Sequence, residues 1–194
     1  EELPHDKQEV LSSLFKGQMP KVKKTEFHVE AHALGENNAP IVITQAEYMR
    51  RMKDMASIQP GMSFYGEMPD MFNLVLNADH KLVKEILADE DKECAAAVAP
   101  IQKEMDDVNT RRNELKKKQE GKKDEDIPTI EKDEVNDLDK KWEDLKNRKN
   151  GLFADYAAQN KVVRQLIDLA LLQNGMLKGE ALNNFVKRSI DLIK

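Results

Sequence analysis

Apolar positions recur at three- and four-residue intervals in two segments near the carboxyl end of this 194-residue chain, and the spacing predicts two helices within residues 161–194. Asn174 and Gly175 lie between them, and a glycine there is typical of a helix end. Two such helices cannot bury two wide apolar stripes against each other alone, so we expect a homodimer in which a second copy completes a four-helix bundle. The predicted interface residues are Leu166, Ile167, Ala170, Leu171, Leu182, Phe185, Val186, Ile190 and Ile193.

The first 88 residues mix helical and strand patterns. Phe27, Val29 and Ala31 alternate with charged residues or histidine, which is typical of a half-buried strand. Single helices separate the strands, so the pattern predicts an α+β fold with a small mixed sheet. The predicted helices lie at residues 6–16, 45–57 and 80–87. The predicted strands lie at residues 22–34, 41–43 and 72–76.

Residues 89–150 have a different character. Apolar residues fall on heptad positions in two runs, and the intervening residues 119–128 are rich in Lys, Glu, Asp and Gly. This predicts a protruding antiparallel coiled-coil hairpin with a mobile tip, although Arg112 and Lys149 occupy positions where a heptad expects apolar residues. We therefore predict three parts: an α+β domain at 1–88, the hairpin at 89–150, and the dimerisation helices at 151–194.

Composition narrows the function classes. Charged residues make up 35% of the chain and the net charge is -5, so the chain lacks the basic surface that a nucleic-acid partner requires. Cys94 is the only cysteine, which excludes an internal disulfide and fits a reducing compartment; we interpret it as a helix-packing residue. No apolar segment approaches the length of a membrane span and no leader is evident. We expect a cytoplasmic protein without a membrane partner, and a piece of a longer one because residue 1 is not Met.

Candidate chemistry is sparse. His28, Glu30 and His32 share one face of a predicted strand, and this set of side chains is able to bind zinc. The neighbouring charges favour a simple solvated face, and the spacing differs from the helical His-Glu-x-x-His pattern. No phosphate-binding glycine loop and no Gly-x-Ser-x-Gly motif occurs. We therefore predict no catalytic residue, no metal site and no cofactor site in this chain.

The predicted helix at residues 45–57 carries an unusual stripe. Tyr48, Met49, Met52 and Met55 lie along one side, and Met62 follows shortly after. Methionine is flexible and polarizable, so such a stripe suits a surface that binds many different partners. The alternative is that the stripe packs on the sheet as ordinary core, and periodicity alone favours this second interpretation.

Four segments together resemble the carboxyl-terminal domain of the ninety-kilodalton heat-shock chaperone family, of the bacterial HtpG type. They are APIVITQAEYMRRMK at residues 39–53, NADHKLVK at 77–84, LIDLALL at 166–172 and FVKR at 185–188. The resemblance implies a stress-response chaperone that assists protein folding and that dimerises through its last two helices. It also implies that the helix carrying Met49, Met52 and Met55 contacts client proteins. With the rest of the stripe, the predicted client-binding residues are Tyr48, Met49, Met52, Met55 and Met62.

The resemblance further implies that ATP and magnesium bind in domains absent from this chain, so no cofactor is expected here. Residues 89–150 exceed the common bacterial pattern and look like a lineage-specific insertion. The chain ends at Ile193 and Lys194 without the acidic tail of eukaryotic cytosolic members, so we expect no tail-reading co-chaperone as a partner.

Two other functions stay open at this point. The chain is alternatively a coiled-coil adaptor, in which the hairpin binds one specific partner and the dimer presents two hairpins. A third hypothesis is a metal-dependent enzyme that uses His28 and His32.

Overall fold

The structure is a computed structural model, and it describes residues 3–59, 61 and 66–193. The chain divides into two compact units. The first, here called the body, comprises Glu1–Glu90 and Ala154–Lys194. The second, here called the hairpin unit, comprises Asp91–Phe153. The body therefore joins segments from both ends of the chain, and the carboxyl-terminal helices belong to it.

Helices dominate the described part of the chain. The helices are α1 (His5–Lys16), α2 (Glu47–Ala56), α3 (Lys81–Gln119), α4 (Thr129–Gln159), α5 (Lys161–Gln173) and α6 (Gly179–Ile193). The strands are β1 (Thr25–His32), β2 (Ile41–Thr44) and β3 (Asp70–Asn77). A short 3₁₀ helix, Asp124–Asp126, lies between α3 and α4.

The three strands form one mixed sheet in the order β1-β3-β2. β1 runs parallel to β3, while β2 runs antiparallel to it. The parallel pair requires a crossover, which the chain makes through β2 and α2. Val29 and Ala31 of β1 are buried, while Glu30 between them is less buried, as the alternation predicts. These observations confirm the predicted α+β class with a small mixed sheet.

The core of the body forms between the sheet, α1 and α5. Leu11, Leu14 and Phe15 of α1 are fully buried, and α1 packs on β1. Helix α5 contacts both β2 and α1, and its Val163 and Ile167 are inaccessible to water. The helix is therefore built into the body by one apolar face, which leaves its opposite side for other contacts.

Asn77 closes the loop that joins β1 to β2. Its side chain is fully buried at the end of β3. Its Oδ1 accepts hydrogen bonds from the Leu34 and Asp79 backbone N–H groups, each at 3.1 Å. Its Nδ2 donates to the Gly35 carbonyl at 2.8 Å. Because Gly35 has φ of +92°, which side chains disfavour, a glycine there lets the loop reach the amide.

The helix predicted over residues 80–87 does not end there but continues to Gln119, with Pro100 inside it. Proline removes one helical hydrogen bond, yet the helix continues through Pro100. The change of composition near residue 89 therefore does not mark a helix end. The predicted divisions after residues 88 and 150 both lie within long helices.

The two helices of the hairpin unit run antiparallel. Arg112 Nη1 lies 3.2 Å from Asp139 Oδ1, and Lys149 Nζ donates to Gln102 Oε1 at 2.7 Å. The earlier residue of α3 therefore contacts the later residue of α4. Their predicted heptad residues pack together. One cluster has Ile101, Met105, Val108 and Leu145 as its buried members, with Leu138, Trp142 and Leu152 packed against them. Leu115, a further heptad residue, is also buried.

The two polar heptad positions have specific partners. The Arg112 guanidinium lies over the Trp142 ring, 5.4 Å from its centroid, and also donates to Asn109 and Asp139. The Lys149 ammonium lies 5.9 Å from the centroid of the Phe153 ring. Long side chains are able to cover apolar surface with their stems and keep the charge hydrogen-bonded at the rim. These two residues therefore complete the hairpin unit rather than interrupt it.

The break between α5 and α6 has the predicted position. Gly175 has φ of +68°, its N–H bonds to the Leu172 carbonyl, and the Met176 N–H bonds to the Leu171 carbonyl at 2.8 Å. This pair of bonds is a Schellman motif, which needs a left-handed residue after the helix. The break before α5 comes from Asn160, whose side chain accepts from two N–H groups of the first turn.

Candidate functional site

None of the residues of helix α6 is buried by the rest of the protomer. Val186, Ile190 and Ile193 follow each other at helical spacing and are 47%, 52% and 84% exposed. Leu182 and Phe185 are half-buried. A single exposed apolar side chain is ordinary on a protein surface, but a continuous apolar stripe on a terminal helix indicates a surface for another apolar partner.

Four of the predicted interface residues lie on the side of α5 that packs inside the protomer. Leu166, Ile167, Ala170 and Leu171 are buried inside the protomer, where α5 packs on α1 and β2. These four side chains are already removed from water without a second chain, so they are not available as an outer surface. The sequence pattern did not distinguish this packed side of α5 from its exposed side, because the helix is apolar on more than one side, and the interface at these four positions stays a prediction.

The exposed side of α5 was missed. Leu169 and Leu172 lie three residues apart, hence on one side of the helix, and both are exposed. The only sequence signal for them is that the apolar stripe of α5 is wider than one packing face needs. Together with α6 they define what we call the carboxyl-terminal surface. Its residues are Leu169, Leu172, Val186, Ile190 and Ile193.

Polar side chains join α5 to α6 beside this surface. Asp168 of α5 is only 1% exposed, and its Oδ2 accepts hydrogen bonds from Arg188 of α6 and from Arg164 one turn earlier on α5. Gln165 Nε2 donates to Ser189 Oγ of α6. Gln165 Oε1 accepts from Arg188 Nε at 3.3 Å. A buried carboxylate requires such partners, because removing it from water unpaired is costly.

The methionine helix, α2, is weakly packed. It has no buried residue, Tyr48 is 67% exposed, and Met55 is also exposed. Met49 and Met52 are half-buried. The structure therefore does not support the interpretation that this stripe is ordinary core.

An ion pair tethers α2 to the sheet. Lys53 Nζ lies 2.6 Å from Asp70 Oδ1 at the start of β3, which holds the helix on the body while its methionines keep contact with solvent. Met62, the fifth predicted client-contact residue, lies outside the described residues.

The histidine strand forms no larger cluster. His32 Nε2 lies 3.4 Å from Glu30 Oε2, and both His28 and His32 are exposed. Among residues 3–59, 61 and 66–193, no group of three or more His, Cys, Asp or Glu side chains is placed to hold a metal ion. In the same part of the chain, no helix combines the length and the apolar character that crossing a lipid bilayer requires.

Comparison with known proteins gives consistent relatives. The chain is 74% identical to the "Chaperone protein htpG" of Bacteroides fragilis (strain YCH46) over 98% of its own length. It is 68% identical to the "Chaperone protein HtpG" of Bacteroides thetaiotaomicron over 100% of its length. The protein of the same name from Porphyromonas gingivalis (strain ATCC 33277) is 40% identical over 94% of the chain and is matched over 27% of its own length.

These relatives are much longer than the chain, which spans 28% of the length of the two Bacteroides proteins. The matched region includes the hairpin unit, since it extends over nearly the whole chain. No family model and no solved structure matches the chain.

Proposed function

The chain belongs to the HtpG chaperone family as a segment of a longer protein, and from this premise we propose that it is the dimerisation and client-contact segment of an ATP-dependent, cytoplasmic stress chaperone. In this proposal the segment acts by binding and catalyses no reaction itself. The ATP and magnesium site of the longer protein lies in the part that this chain does not include. Unfolded or partly folded proteins are the clients.

One observation carries the dimerisation proposal: α6 exposes an apolar stripe and buries no residue of its own. Apolar surface of this kind is stabilised by leaving water, and a second copy brings an identical stripe. A twofold axis beside α6 would place the two stripes against each other, with Leu169 and Leu172 of α5 adding area. The expected assembly is a four-helix bundle of two α5–α6 hairpins.

The client-contact proposal rests on the exposure of α2. Its methionines and Tyr48 offer an adaptable apolar surface without filling a position in the core. Such a surface tolerates many client sequences, since methionine side chains adjust their shape at low energetic cost.

The dimer is tested with Ile190→Asp in the 194-residue chain. We expect self-association to weaken by at least about tenfold, because association would bury a carboxylate without a partner in each subunit. Since Ile190 is half exposed in the protomer, the variant should still fold, and any fall in its melting temperature should come from the weaker association. Sedimentation equilibrium at micromolar concentrations measures the association.

Asn184→Asp is the matched control. It adds the same charge to an exposed position of α6. Asn184 lies two residues before Val186, so the two side chains are about 200° apart around the helix. This variant should dimerise like the parent chain. A parent chain that stays monomeric throughout the concentration series would refute the proposed dimer, and equal effects of both variants would place the interface elsewhere.

A further inference from the structure

Helix α6 has two different sides separated by a modest rotation. Ser189 Oγ and the Phe185 backbone carbonyl accept hydrogen bonds from Gln165 of α5, and both residues are half-buried, so this side of α6 faces α5. Val186 and Ile190 immediately follow them in sequence, so they lie about 100° further around the helix. Turning α6 about its axis by less than a third of a turn would exchange one set for the other against α5.

Apolar contact alone does not discriminate between these two rotations of α6. Phe185 on one side and Val186 or Ile190 on the other are all able to bury carbon surface against α5, and the hydrophobic effect has no preferred direction. Hydrogen bonds do have a preferred direction, and they weaken steeply when misaligned. The rotation of α6 therefore depends on the polar side chains between the helices.

Four residues make these bonds, and we call them the polar clamp. Gln165 and Asp168, one turn apart on α5, reach Arg188 and Ser189 on α6. Asp168 Oδ1 has no hydrogen-bond partner among the described residues, so this buried carboxylate depends on the arginines at Oδ2. A rotated α6 would withdraw Arg188 and leave the buried charge with less compensation.

We propose that the polar clamp sets the rotation of α6 and thereby presents Val186, Ile190 and Ile193 to the second copy, with Arg188 as the positioning residue. The inference rests on the proposed dimer and adds what determines its geometry. Arg188 itself does not need to touch the partner subunit for this role.

The chain contains a matched comparison. Arg164 and Arg188 both donate to Asp168 Oδ2, but Arg164 belongs to α5 itself and also donates to the Gln18 carbonyl at 2.8 Å. Arg164→Gln removes a contact to the same carboxylate without cutting the link between α5 and α6. Arg188→Gln removes the same charge together with the bonds that join Arg188 of α6 to Asp168 and Gln165 of α5.

Two quantities are measured on the full chain: the dimer dissociation constant and the distance between subunits. For the distance, Lys187→Cys in a Cys94→Ala background carries one spin label per subunit, since Lys187 is exposed. We expect Arg188→Gln to raise the dissociation constant about tenfold and to broaden the distance distribution. Arg164→Gln should lower the melting temperature but change the dissociation constant by less than about twofold.

Equal effects of the two arginine variants on dimerisation would overturn the inference, and so would weaker association with an unchanged distance distribution. A parent chain that never dimerises would instead refute the proposed function. If Arg188→Gln does not fold, Ser189→Ala is used in its place, because it removes only the bond between Gln165 and Ser189 of the polar clamp. It should shift both measurements in the same direction, and the absence of any shift counts against the clamp.

Discussion

Asn77 shows at the scale of one residue how a buried polar group organises this fold. Its amide bonds to four backbone groups of the β1–β2 connection, on Leu34, Gly35, Asn38 and Ala39, and to the Asp79 N–H after β3, and it has no contact with water. A buried amide is tolerated only when its hydrogen bonds are made, and here the loop supplies them. The side chain therefore links the end of β3 to a segment distant in sequence.

Asn77→Ala should lower the free energy of unfolding by about 1–3 kcal/mol, because the backbone groups that bond to the buried amide, the Leu34 N–H among them, would lose their partner. Urea denaturation followed by circular dichroism measures the change. Asn37→Ala, at an exposed position of the same loop, serves as the control and should change stability by less than about 0.5 kcal/mol. Similar losses for both variants would mean that loop composition, not the buried amide, accounts for the effect.

Arg112 is the residue whose role the heptad pattern concealed. It breaks the apolar repeat, yet its guanidinium covers Trp142 and pairs with Asp139. Periodicity identified the exception but contains no information on partners across the hairpin. Only the antiparallel arrangement of α3 and α4 brings these side chains together.

At the scale of the element, α2 combines helical order with almost no burial. Its amphipathic pattern was predicted correctly, and the same pattern would fit a helix packed as core. The difference lies in tertiary contact: the tether between Lys53 and Asp70 keeps α2 on the body while Tyr48 and Met55 stay accessible.

Tyr48→Ser combined with Met55→Ser should weaken client holding, because both side chains expose apolar surface that a client would cover. We expect the amount of chain needed to halve the aggregation of a heat-labile reporter protein, followed by light scattering, to rise about fivefold. The melting temperature should stay the same, since neither residue is buried.

The control pair is Arg50→Ser with Asp54→Ser, which are exposed on the remaining surface of α2 and leave the net charge unchanged. This variant should hold clients as well as the parent chain does. If it loses as much activity as the apolar pair, the effect belongs to the helix as a whole and the methionine stripe is not the contact.

At the scale of the whole molecule, the two compact units separate the proposed functions. The core residues of the sheet, α1 and α5 all belong to the body, whereas the heptad cluster belongs to the hairpin unit. The bond between Gln102 and Lys149 shows that α3 and α4 lie side by side at that level. A short linker is therefore able to reconnect the two helices after residues 105–145 are removed.

Replacing residues 105–145 with a linker of about four glycine and serine residues should leave dimerisation and client holding intact, because a short flexible linker easily spans neighbouring helices. Sedimentation equilibrium and the aggregation assay measure both. If the shortened chain still dimerises but no longer holds clients, the adaptor function of the hairpin becomes the better account.

The sequence by itself determined the local elements and the α+β class. The backbone geometry of each element determines how its side chains repeat. Three features follow from it: the strand alternation in β1, the glycine stop at Gly175 and the heptad positions of the hairpin. The resemblance of four short segments also identified the family. These features depend on the chain's own periodicity, which tertiary packing leaves unchanged.

Tertiary structure alone decided which face of each helix meets water. Leu166 and Leu169 are both leucines of α5, yet the first is buried in the body and the second is exposed, because α1 and β2 occupy only one side of the helix. It also brought Arg188 to Asp168 and Arg112 to Trp142, pairs that belong to different helices. Periodicity reports which residues share a face, but a face becomes core or surface only when another element covers it.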